Sequence, residues 1–160
     1  MLATLAFVVA QAPVPGWTMY VSTQDHFTVE LPAKPTISTI PLSAQGVTGK
    51  ARNYTVKTPL VNASISAITI SDKSRTGTLD VAKGIVMGLM NRIGGKPGES
   101  VTMVYSGRKG QETRFQDGTG HFGSIWITGE SGRLYALTIL GVKAPPVAEA
   151  KRFFASFHTR

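Results

Sequence analysis

A chain of 160 residues that is 42% hydrophobic and 16% charged has the balance of one globular domain built around one core. It contains no cysteine, which excludes disulfides, zinc–thiolate sites, thiol catalysis and a lipid-modified cysteine. Its 17 basic and 9 acidic residues give a net charge of +8, but the longest basic runs are the pairs Arg108-Lys109 and Lys151-Arg152, so the charge reads as scattered solubilising residues and not as a nucleic-acid-binding tail.

The first twelve residues, MLATLAFVVAQA, read as a secretory signal. The largely apolar run Leu2 to Ala10 is far shorter than the roughly 20 residues a membrane-spanning helix needs, and it ends in small residues. Cleavage after Ala12 satisfies the A-x-A rule through Ala10 but leaves Pro13 at the scissile bond, so cleavage after Ala10, with Val8 three residues from the cut, is the preferred reading. Residues 13–16 then form a stiff linker to a single domain over 17–160, exported to the periplasm or beyond, with no transmembrane segment in the mature chain.

Phe27, Val29 and Leu31 alternate with Thr28 and Glu30 and stop at Pro32, which predicts a strand with one wet face. Val47 to Lys57 is polar along much of its length and belongs near a sheet edge, whereas Leu60 to Ile70 is better buried. Asp72 to Thr78 is a loop by composition. Leu79, Ala82, Val86, Leu89 and Ile93 then share one helical face, with Thr78 as N-cap, Asp80 in the first turn and Gly94-Gly95 as the stop. Gly84 and Gly88 lie inside that helix at about 1 kcal/mol each relative to Ala, which predicts a close approach to the sheet.

From Glu99 a meander follows: Val101 to Ser106, Gln111 to Asp117, His121 to Thr128 and Arg133 to Leu140, separated by GRKG, GTG and GESG. In Arg133 to Gly141, Leu134, Ala136 and Leu140 line one face and Tyr135, Leu137 and Ile139 the other. A strand apolar on both faces belongs mid-sheet, covered above and below. The last helix carries Val147, Ala150, Phe154 and Phe157 as its stripe, with Phe153 beside them and Lys151 and Arg152 facing water.

Few residues point to chemistry. Gly118, Gly120 and Gly123 match G-x-G-x-x-G, but they lie between two strands, and no helix follows to bind a pyrophosphate. His26, His121 and His158 are too dispersed for a metal site, and no cofactor is expected. His121 and Asp117 flank Ser124, yet residues so close along a strand diverge onto alternating faces, and no catalytic residue is assigned. The sequons at Asn53 and Asn62 fall in predicted strands. Two binding candidates remain. Arg108 and Lys109 form a basic hairpin tip that a partner carboxylate or phosphate can reach. Trp17 and Tyr20 form an aromatic pair able to act as an interface anchor.

Trp17, Tyr20 and Ser22 read as W-x-x-Y-x-S, and Phe27, Val29 and Pro32 as F-x-V-x-x-P. The chain closes with a Tyr135-centred strand, a loop, a helix and Phe154-Ala155-Ser156-Phe157. This order resembles the PsbP-like class of exported domains, which includes thylakoid-lumen photosystem accessory proteins and periplasmic DcrB-type proteins. It is also similar to secreted proteins of environmental bacteria with the same landmarks. The resemblance implies an α+β fold: an antiparallel sheet of about 6–8 strands with helices packed on its faces, an α/β/α sandwich. It further implies a non-catalytic binding or accessory domain that docks an envelope or secreted protein, with no nucleic acid as partner. The alternatives are a basic surface binder of anionic lipid or polymer and a small hydrolase with a site near His121.

Overall fold

The computed structural model describes residues 16–44, 47–71, 79–130 and 132–160. The expected signal at 1–12, most of the linker, the Asp72 to Thr78 loop and the Thr78 cap lie outside the described residues. In chain order the elements are β1 (Thr18–Ser22), β2 (Phe27–Leu31), β3 (Thr36–Ala44), β4 (Val47–Lys57), β5 (Val61–Ile70), α1 (Leu79–Ile93), β6 (Lys96–Tyr105), β7 (Arg108–Gln116), β8 (Phe122–Glu130), β9 (Arg133–Gly141), α2 (Val147–Ala155) and β10 (His158–Thr159).

Seven strands form one antiparallel sheet in the order β3-β4-β5-β9-β8-β7-β6, and three form a small sheet, β1-β2-β10. The expected strand β9 is therefore central, with β5 on one side and β8 on the other. Helix α1 carries the chain from the middle of the large sheet to its far edge at β6, and the meander β6 to β9 brings it back. Helix α2 then delivers β10 to the small sheet.

The large sheet divides the core in two. Ala51, Ile68, Ile70, Ile125, Leu134 and Ala136 pack on α1 through Val81, Ala82, Val86 and Met90. On the opposite face Tyr54, Ile65, Trp126, Tyr135, Leu137 and Ile139 meet α2, through Phe153 and Phe154, together with Phe27, Val29 and Leu31 of β2. Helices alone do not cover both faces: one cover is a helix, and the other is a helix together with a small sheet. β1, β3 and β10 had no sequence expectation. β3 is an edge strand interrupted by Pro41, its described residues almost wholly exposed, so it carries no apolar alternation to read.

Three local expectations are corrected. Gly88 faces open space, with nothing within 4 Å of an added Cβ, so no close approach explains it. Val147 is 69% exposed and lies outside the α2 stripe, while Phe153 is fully buried within it. Arg152 turns inward: its Nε donates to Glu30 over 2.6 Å, and its guanidinium lies 5.7 Å from the centre of the Trp17 ring.

Candidate binding site

Residues opposed on neighbouring strands share a face, so register places side chains in rows across the sheet. One row crosses the end of the large sheet nearest the β1–β2 turn. Lys50 of β4 opposes Thr69 of β5, Thr69 opposes Arg133 of β9, and Arg133 opposes Glu130 of β8. Arg108 of β7 closes the row by an ion pair to Glu130 at 3.6 Å. The next row inward holds Thr39, Arg52, Ala67, Tyr135 and Thr128. The row beyond it, Tyr54, Ile65, Leu137 and Trp126, is already core. Polarity thus falls off row by row from a cationic rim to an apolar interior.

The turn between β1 and β2 folds over this rim and inserts one carboxylate. Asp25 is 6% exposed, and its Oδ2 accepts from Tyr54 Oη at 2.6 Å and from an Arg52 guanidinium nitrogen at 3.0 Å. Ser22 Oγ lies 2.8 Å from the Tyr54 hydroxyl and accepts from the Asp25 backbone N–H at 3.1 Å. Tyr135 donates to the Asp25 carbonyl at 2.9 Å, and the Arg160 N–H donates to the His26 carbonyl at 2.8 Å. His26 sits in the left-handed region, at φ 54°, to make the turn. Burial opposes the Arg52 charge, but the neighbouring Asp25 carboxylate more than offsets it, so the Arg52 pKa is raised. Burial, then the bond to Asp25, raises Tyr54, and burial likewise raises Tyr135.

Two concavities lie along this end of the large sheet. One, of about 480 Å³, is lined by Asp25, Thr39, Thr48, Lys50, Arg52 and Thr69, among others. The other, of about 530 Å³, lies between the β6–β7 hairpin and β10, against Arg108, Lys109, Gly129, His158 and Thr159.

Arg108 and Lys109 therefore border a concavity, although they are not the hairpin tip. The tip is Ser106-Gly107, both at positive φ (50° and 76°), the two-residue turn that matches strand twist. Arg108 and Lys109 begin β7, and Arg108 folds back onto Glu130 and the Thr159 hydroxyl, while Lys109 is exposed. Trp17 and Tyr20 are half-buried in internal contacts. Trp17 meets Phe153 edge-on, with ring centres 6.4 Å apart, and Tyr20 packs against Phe27 and Tyr54.

His121 and Asp117 do come together. Asp117 Oδ1 accepts from the Thr119 and His121 N–H groups at 2.9 and 2.8 Å, and His121 Nδ1 lies 2.6 Å from Thr119 Oγ1. These bonds close the turn before β8, and those from Thr119, then His121, offset burial and hold the Asp117 pKa below its usual value. Ser124 is buried in β8 on the α2 side of the sheet, and no hydrogen bond joins it to His121 among the described residues.

No family model matches the chain, and no curated protein matches it. Among solved structures, the solution structure of cyanobacterial PsbP (CyanoP) from Synechocystis aligns over 99% of both chains with a TM-score of 0.57 at 15% sequence identity. The fold is PsbP-like. At that identity the likeness concerns the fold alone. A Pseudomonas aeruginosa protein of unknown function covers 83% of this chain and 88% of its own at a TM-score of 0.36 and 15% identity, too low to carry an argument. Within the PsbP-like fold, the network around Asp25 escaped sequence reasoning. Asp25 contacts residues 27 to 110 positions away, and a lone Asp between two short strands resembles any turn residue.

Proposed function

We propose that the chain is an exported, non-catalytic binding or accessory domain that docks an envelope or secreted protein through the cationic rim and the Arg108-Lys109 corner beside it. The observation that supports it is the row Lys50, Arg133 and Arg108, which gathers charges scattered in sequence onto one end of the sheet. A PsbP-like fold is compatible with a protein-interacting module, and no helix among the described residues is long and apolar enough to cross a membrane. The apolar start from Leu2 to Ala10 supports export.

The test is affinity isolation of the tagged protein from its native envelope after mild crosslinking, with Lys109→Glu as the comparison. Lys109 is exposed at the edge of the second concavity, so reversing its charge leaves the core intact. A stoichiometric partner lost in Lys109→Glu supports the reading. Turnover of a small substrate that one polar substitution abolishes would overturn it. Binding to anionic vesicles or polymers that collapses as salt rises, with no protein captured, would replace it with the surface-binder alternative, because screening acts over about 8–10 Å near physiological ionic strength.

A further inference from the structure

The concavity beside the Asp25 turn differs chemically from the rest of the rim. Its floor is built from three adjacent strands, with Thr39 opposite Arg52 and Lys50 opposite Thr69, and Thr48 and Ser71 line it as well. Directly opposed residues have Cβ atoms about 4.5–5.5 Å apart and diagonal neighbours about 7–8 Å, so Lys50, Thr69 and Arg52 lie within the span of one small group, while Thr39 lines the far side across β4. Its volume of about 480 Å³ lies in the range of small-molecule sites.

The donors are unspent. Among the described residues, neither the Lys50 ammonium nor the hydroxyls of Thr39, Thr48, Thr69 and Ser71 have a hydrogen-bond partner. A guanidinium nitrogen of Arg52 is pinned by Asp25, beside the Tyr54 hydroxyl, which sets the position of the planar fork before any ligand arrives. Arg133, opposite Thr69 on one side and Glu130 on the other, adds a third cation, so among the described residues three cations face the two carboxylates of Asp25 and Glu130.

A carboxylate ligand brings two oxygens and would leave most of these donors idle. A phosphate monoester brings three acceptor oxygens and close to two negative charges near neutral pH. An ammonium, a guanidinium fork and several hydroxyls are the matching set. We propose that this concavity binds the phosphate group of a small phosphorylated molecule, held by Lys50, Arg52 and the hydroxyl of Thr69. The rest of the ligand faces solvent, because Thr39, Thr48, Lys50 and Ser71 are exposed. The site shares Lys50 with the rim proposed for partner docking but needs no protein to complete it.

The test is an NMR titration of the isotope-labelled protein with inorganic phosphate and with glycerol phosphate, at constant ionic strength and with chloride as the reference anion. Saturable amide shifts confined to Gly49, Lys50, Arg52, Thr69 and Ser71, absent with chloride, are expected. Lys50→Gln should weaken them about tenfold, the loss of one charge-assisted bond. Lys50 is exposed and has no partner among the described residues, so this variant keeps the fold, and Thr69→Val tests a hydroxyl separately. Shifts that chloride reproduces, or an affinity unchanged in Lys50→Gln, overturn the inference. So does a protein that ignores both phosphates yet binds vesicles containing phosphatidic acid, which makes the rim a membrane contact.

Discussion

The Tyr54 hydroxyl donates to the Asp25 carboxylate across 2.6 Å, although 29 residues of chain separate them. That bond joins the turn of the small sheet to the floor of the large one. Removing it leaves a buried carboxylate with one donor fewer, and hydrogen bonds to charged groups contribute about 1.5–3 kcal/mol. Tyr54→Phe is therefore expected to lower unfolding stability by about that amount in a urea titration. A loss below about 0.5 kcal/mol would show that the network is peripheral to folding.

Alkaline pH should act on the same region. Tyr54, Tyr105 and Tyr135, three of the four tyrosines, have pKa values raised above the usual 10.0, chiefly by burial. Tyr105 adds a bond to Glu112 at 2.6 Å. For groups whose folded pKa is raised, the stabilisation is complete below pH 10 and is lost as pH climbs through the folded values. Tyrosinate absorbance from these three should emerge together with loss of circular dichroism. Reversible ionisation of all four in a folded protein would contradict the burial described.

Two glycines predict opposite outcomes. Gly88 sits in the exposed interior of α1 with free space around it, so Gly88→Ala should stabilise by up to about 1 kcal/mol. At Gly110 an added Cβ would fall on the Trp126 indole nitrogen and the Ile127 carbonyl oxygen. Gly110→Ala should destabilise by about 1–3 kcal/mol, the usual range for overpacking. Thermal unfolding of the pair checks both signs.

Leu137 is fully buried, opposite Ile65 on one neighbouring strand and Trp126 on the other. Leu137→Ala should cost about 2–5 kcal/mol through lost burial and the cavity left behind. Val147→Ser, at the exposed start of α2, should stay within about 0.5 kcal/mol. Chemical denaturation of the two variants separates a core strand residue from an apolar residue that merely continues a helical pattern.

Legibility in the sequence followed the strength of each local signal. The two-sided apolar strand Arg133–Gly141, the α1 stripe and the turns of the β6 to β9 meander were readable because each depends on side-chain alternation or on glycine at a turn. β1, β3 and β10 were not, since a short or wet edge strand has no such alternation. Arg108 and Lys109 border a concavity, while Trp17 and Tyr20 make internal contacts; Asp25 and Arg52 gave no signal, and Tyr135 gave only that of a buried strand residue.

The sequence by itself determined that β9 would be covered on both faces, that α1 would end at Gly94-Gly95 and that the chain would fold as an α+β domain around an antiparallel sheet. Those properties are local, set by residues a few positions apart. Only the tertiary structure decided that β5 pairs with β9, that a three-stranded sheet shares one face with α2, and that Lys50, Arg133 and Arg108 align on one rim. Each depends on which strands become neighbours. That choice is made by long-range burial and register, and hydrophobic periodicity carries no record of it.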